Sequence, residues 1–318
     1  MSQVPGRLGG AAAAQPTPAG VRATLDAFLT CEFVTLARDG TPIAWPASAL
    51  IRADGSMMLT TALAFPQKAF NVRRDPRVAL LFSNPASSGL IDSPQTLVTG
   101  TATCRDEVHT EPTGDLADFW RMIFRRQPTS RRYLDWPANR FTDFYFMRLL
   151  IQVTETGATS RPLPETRNNV TDLAKLGAEV LAAYPTVVLA ARDASGAPVL
   201  VRTSAADSPD GYKIELPADA AVVEGPASLL VHRHDDQLWN LHNASVRGIL
   251  RQDEAGGWTL LPVRLTEPGA RHRGGLTDPI RIVRSSRATT RAYLEKRKWD
   301  RPAIPWDSYR ALRAEVSS

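Results

Sequence analysis

The sequence predicts a mainly β protein with peripheral helices, built from two similar β-barrels in tandem. Two observations carry this. Short apolar runs alternate with Gly, Pro, Asn and Asp turn signals along most of the 318 residues, the pattern of closed or semi-closed antiparallel barrels. The same helix–strand–turn–strand order also occurs twice. In the first copy Val21, Leu25, Phe28 and Leu29 share one helical face ahead of EFVTLARD, a Gly turn and TPIAWPAS. In the second, Val170, Leu173, Leu176 and Val180 share a face ahead of YPTVVLAARDASGAPVLVRTS. TLARD is aligned with VLAARD, and six positions separate Pro42 from Ser48 and Pro198 from Ser204. Further on, RVALLF (77–82) matches ASLLVH (227–232), and LVTGTATC (97–104) matches SVRGILRQ (245–252).

In chain order, residues 1–20 are Gly-, Ala- and Pro-rich without a long apolar core, and are read as a disordered tail. Residues 21–157 form the first barrel, 158–270 the second, and 271–318 a helical arm. Within the first barrel, TTALAFPQKAFNVRRDPRVALLFS (60–83) is the most informative segment. A strand ends in Thr60 and Thr61, a short helix carries Lys68, and Pro76 starts the next strand. Hydroxyl donors, a compact positive charge and the open N–H groups of a helix's first turn make an anion cradle. Between the barrels, Leu116, Phe119, Trp120, Ile123 and Phe124 mark an amphipathic helix, and TDFYFMRLLIQVTE (142–155) is read as one long strand. Trp120, Trp136, Tyr145 and Phe146 are candidates to roof an aromatic ring system, with core packing the alternative for each. The arm is read as two short helices broken at Pro302 and Pro305, pinned by Trp299 and Trp306.

Residues 28–105 resemble the pyridoxamine-phosphate-oxidase-like, flavin-binding split-barrel superfamily. The resemblance rests on the paired threonines, the lysine and the N-x-R-R-x-P-R-V run from Asn71 to Val78. It implies two tandem split barrels and an FMN whose phosphate is held by this segment. Carried over residue by residue, it implies cofactor contacts from Trp45, Pro46, Ala47, Ser48, Thr60, Thr61, Lys68 and Gln95. Trp45-Pro46 stands where pyridoxamine phosphate oxidases place an arginine, and ARHRGG (270–275) does not match their Arg-x-His element. The vitamin B6 reaction is therefore not expected. The resemblance implies an FMN-dependent oxidoreductase acting on a small organic substrate. The deazaflavin F420 on the same fold, or a non-catalytic flavin- or haem-binding protein, remains open. It names no catalytic residue. The cofactor would lie between two barrels, in a homodimer or in an intrachain pseudo-dimer.

The second copy has only LPADAAVVEGPA (216–227) opposite the cradle, with Asp219 and Glu224 in place of the basic residues. At most one FMN per chain is expected. The net charge of +5 comes from scattered arginines with no nucleic-acid-binding signature. No apolar run reaches membrane-spanning length, so neither a nucleic-acid nor a membrane partner is expected, and a cytoplasmic location is. Cys31 and Cys104 lie in apolar strands without metal spacing and are read as inert thiols. His232 and His234 share a strand face, which would suit a metal or haem, but HRHDDQ reads equally as a polar turn; no metal is expected.

Overall fold

In the computed structural model the described residues are 19–239, 241–267 and 278–317. The tail expected over residues 1–20 lies almost wholly outside them, as does ARHRGG. The first half runs α1 (Ala19–Ala27), β1 (Cys31–Leu36), β2 (Pro42–Ala47), β3 (Leu50–Ile51), β4 (Met57–Ala62), α2 (Gln67–Arg74), β5 (Arg77–Phe82), β6 (Gln95–Thr103), α3 (Gly114–Arg126), α4 (Asn139–Phe146) and β7 (Arg148–Arg161). The second runs α5 (Ala178–Ala182), β8 (Val187–Arg192), β9 (Pro198–Thr203), β10 (Ala205–Ser208), β11 (Gly211–Ile214), β12 (Gly225–Arg233), β13 (His242–Gln252) and β14 (Trp258–Thr266). The arm is α6 (Asp278–Arg297) and α7 (Trp306–Ser317).

Each half is a seven-stranded antiparallel sheet. Their orders are β2-β1-β5-β6-β7-β4-β3 and, read in the same direction, β9-β8-β12-β13-β14-β11-β10. Every strand of one half thus has a counterpart at the same place in the other. The duplication reaches details of the backbone. Gly40 and Gly196 occupy the left-handed region at φ +78 and +79 in the β1–β2 and β8–β9 turns. A register shift follows Thr99 in β6 and Arg247 in β13, each time at a glycine. A Cβ on Gly100 would lie 2.6 Å from the Thr154 carbonyl oxygen, and one on Gly248 2.1 Å from that of Leu261.

Two alignments made from the sequence are corrected by the pairing. The turns superpose Ala37–Thr41 on Asp193–Ala197, so Leu36 matches Arg192 and the two "ARD" strings are out of step by two residues. In β5, Ala79 faces Val34, and in β12 Ser228 faces Ala190, so RVALLF matches residues 226–231, one position earlier. That single step decides which side chains face the core. The match of 97–104 with 245–252 holds.

Two elements differ from the expected ones. Residues 170–177 are not helical: the Asp207 carboxylate accepts from the amides of Thr171 and Asp172, and Leu173 and Leu176 are exposed. Residues 139–146 are helical rather than strand, with Phe144 and Phe146 buried and Phe141 exposed. β7 starts at Arg148 and continues past Gly157 to Arg161.

The interior of the first sheet is filled by Phe33, Met57, Leu59, Leu80, Val98 and Leu149, among others. Its outer face is covered by α3 and α7, with Trp120, Phe124, Phe146 and Tyr309 packed over Met58. The two halves meet through Val34, Ala44, Ala79 and Leu81 against Val188, Ala190, Leu200 and Leu230. The contacts obey a pseudo-two-fold: β2 meets β12 as β9 meets β5, and β13 meets β2 as β6 meets β9. Buried in this interface, Glu32 accepts from Arg202 at 2.7 Å and Ser83 at 2.8 Å, and lies 2.6 Å from His232 Nε2. Burial pushes the Glu32 carboxyl up, but Arg202 and His232 outweigh it and hold it below its usual value.

Candidate functional site

Pro66 precedes helix α2 and gives it no side-chain cap, and Lys68 is the helix's second residue. Among the described residues Lys68 has neither an ion pair nor a hydrogen bond; its Nζ lies 5.7 Å from the centre of the Trp45 ring. Burial, reinforced by the positive charge of Arg148, lowers its pKa to about 8. Arg148 is itself buried at 7 % exposure, and its Nε has no hydrogen-bond partner. Its guanidinium sits 4.4 Å from the Tyr145 ring centre and 4.9 Å from that of Trp120, held by π faces rather than by a carboxylate. Thr60 faces Leu150 across the β4–β7 ladder and Arg148 faces Ala62, so Thr60 and Arg148 are diagonal neighbours on one face. The Thr60 hydroxyl is buried without a partner. Two desolvated cations and an orphaned hydroxyl therefore gather where β4, α2 and β7 meet. Buried polar groups normally find partners, and unpaired charges cost several kcal/mol, so the set fits a bound anion.

The other expected site residues divide. Thr61 is spent on the Phe65 carbonyl at 2.7 Å. Trp45, Pro46 and Ala47 end β2 opposite Phe33, Glu32 and Cys31, with Trp45 placed beside Lys68. The Ser48 hydroxyl donates to the Leu29 carbonyl at 3.4 Å. Gln95 stands apart. Its amide donates to the carbonyls of Pro162 and Arg202, both at 3.0 Å, and its oxygen accepts the Arg202 amide at 2.8 Å. It pairs with Arg161, at the far end of β7 from Arg148.

The basic run after Lys68 is structural. Arg73 donates to the carbonyls of Cys104 and Arg105 and to Asp106, Arg74 to the Leu36 carbonyl, and Arg77 to Asp75. Buried Asn71 donates to Thr35 at 2.8 Å. These bonds fix α2 between β1, β5 and the end of β6. Arg148 is the residue the sequence reading missed. Its only signal is a lone charge entering the apolar run LLIQV. Phe119, Trp120 and Tyr145 form the aromatic wall around it, with Trp120 stacking on Phe146 at 4.8 Å, while Trp136 is 77 % exposed.

The corresponding position in the second half is reversed in charge. Met57 pairs with Val153 as Tyr212 pairs with Leu260, which sets Glu215 where Thr60 stands. Its carboxylate accepts from Thr166 at 2.6 Å and Ser204 at 3.2 Å. No helix replaces α2 between β11 and β12. His232 is engaged with Glu32, and His234 with Thr30 at 3.1 Å and Asn84 at 3.3 Å. Among the described residues no three His, Cys, Asp or Glu side chains converge as a metal site, and no helix is long and apolar enough to cross a membrane.

The described residues form two seven-stranded antiparallel sheets of one strand order, consistent with a tandem split-barrel fold. Neither a family model nor a curated protein matches it. Solved structures similar to it include a putative pyridoxamine 5'-phosphate oxidase from Listeria innocua, at 15 % identity over 44 % of this chain and 94 % of the other, TM-score 0.30. An F420 reductase is 22 % identical over 45 % of this chain and 98 % of its own, TM-score 0.31. HutZ, the haem storage protein from Vibrio cholerae, is 10 % identical over 44 % and 92 %, TM-score 0.31.

Proposed function

We propose that the first half binds FMN by its phosphate and that the protein is a flavin-dependent oxidoreductase acting on a small organic substrate. The observation that carries the reading is the set Lys68, Arg148 and Thr60: a half-buried lysine and a buried arginine, neither with a carboxylate partner among the described residues, and a buried hydroxyl without a hydrogen-bond partner. A phosphate dianion supplies both missing charges and an acceptor for the hydroxyl. Lys68 contributes a point charge and Arg148 a directional fork. Trp45, beside the lysine at the end of β2, would border the ring system. The bound flavin supplies hydride or electron transfer, and the protein supplies orientation and electrostatics.

The test compares FMN with riboflavin, which lacks the phosphate, by titration of ligand-free protein. FMN should bind at least tenfold more tightly. Lys68→Ala and Arg148→Met should each weaken FMN by roughly ten- to a hundredfold, the equivalent of about 1.5–3 kcal/mol for a charge-assisted hydrogen bond. Riboflavin affinity should stay unchanged in both variants. Equal affinities for FMN and riboflavin would contradict the reading; binding of F420 with FMN excluded would replace FMN by the deazaflavin.

A further inference from the structure

A second cluster of titratable groups lies outside the cradle, in the second half. The Tyr184 hydroxyl, just ahead of β8, is hydrogen-bonded to His242 Nδ1, and the ring faces stack at 17°. His242 opens β13, and its Nε2 lies 2.7 Å from a carboxylate oxygen of Glu267, the residue after β14. A carboxylate at Nε2 places the proton on that nitrogen, leaving Nδ1 as the acceptor. The order carboxylate, imidazole, hydroxyl is that of an oriented general base acting on an acidic O–H. Both His242 and Glu267 keep about a quarter of their side-chain surface exposed. Tyr184 is itself buried at 8 % exposure: burial raises the pKa of its phenol and Glu267 adds to that, while Arg233, facing His242 across β12–β13, opposes it.

The pseudo-two-fold tells where the cluster sits. On one side of the axis β6 meets β9, and Gln95 bonds to Arg202. On the other side β13 meets β2. The counterparts of Gln95 and Arg202 there are Asn243, next to His242, and Pro46, next to Trp45.

We propose that Glu267, His242 and Tyr184 form a proton relay beside the end of β2, with Tyr184 the group that exchanges a proton with a hydroxyl-bearing ligand. The ligand O–H passes its proton to Tyr184 Oη as Oη passes its own to His242 Nδ1. The imidazolium formed is held against Glu267, and the reverse sequence returns the proton. Only O–H and N–H bonds change. Its service to an oxidoreductase rests on the FMN reading; the relay itself does not.

The experiment therefore uses protein without flavin. N-acetylimidazole acetylates tyrosines according to their reactivity, and peptide mass spectrometry ranks the six in this chain. His242 should give Tyr184 a reactive advantage: its acetylation should slow at least tenfold in His242→Gln, while the other five tyrosines keep their rates. In the unaltered protein, nitrogen-15 NMR should find neutral His242 protonated on Nε2. Equal reactivity in the wild type and His242→Gln, or a proton resident on Nδ1, would overturn the proposal. Failure of the FMN titration with the Tyr184 advantage intact would remove the cofactor and leave the relay.

Discussion

Lys68 carries a cost in the ligand-free protein. Its pKa near 8, against 10.5 for an unburied lysine, means that folding makes its proton harder to hold. Between those values the unfolded chain binds the proton and the folded chain does not, so stability rises with pH through that window. Below pH 8 the full penalty applies. Lys68→Met should therefore stabilise the ligand-free protein at pH 7 by up to about 3 kcal/mol, at 1.36 kcal/mol per pKa unit. The gain should disappear above pH 10.5. Urea unfolding of both proteins at pH 7 and 10.5 measures it; a variant less stable at pH 7 would mean that Lys68 already has a partner. A residue that stabilises the fold when removed while weakening an anion site is the trade expected of a functional charge. Arg148 belongs to the same class, with its cost offset by the faces of Tyr145 and Trp120.

At the scale of elements, the bulge glycines tie the duplication to packing. Gly100 and Gly248 stand at the same step of β6 and β13, and each lets a carbonyl of the neighbouring strand close in. Gly100→Ala and Gly248→Ala should each destabilise by about 1–3 kcal/mol, the usual range for overpacking, as read by thermal or urea unfolding. Substitutions without effect would show that the strands can slide apart there. Strands and turns were legible in the sequence because alternation and turn residues are local signals. So was the position of α2, between paired threonines and Pro76. The charges of the site were only half legible. Lys68 and Thr60 lie in one contiguous segment, whereas Arg148 reaches them through a β4–β7 pairing that sequence distance conceals. Nor does sequence show that Arg73 and Arg74, in the same basic run, are already taken up by carbonyl oxygens of neighbouring elements. Gln95 likewise proves to be a bridge between halves.

At the scale of the molecule, two copies of one topology have taken unlike roles. The interface network sets Glu32 and Ser83 of one half against Arg202 and His232 of the other. At the counterpart of Glu32 stands Val188, and at that of Arg202 stands Pro46, so the network assembles only between unlike halves. A buried charge left unpaired by any other pairing would cost about 3–5 kcal/mol. The cradle is divided in the same way, with Lys68, Arg148 and Thr60 in the first half and Glu215 at the Thr60 position in the second. A phosphate beside that carboxylate is repelled. Stoichiometry, measured by flavin fluorescence against a known concentration of chain, tests this division of roles most directly. One FMN per chain is expected, lost in a Lys68→Ala, Arg148→Met double variant that still folds; two equivalent sites per chain, or undiminished binding in the double variant, would contradict a single cradle built on Lys68 and Arg148.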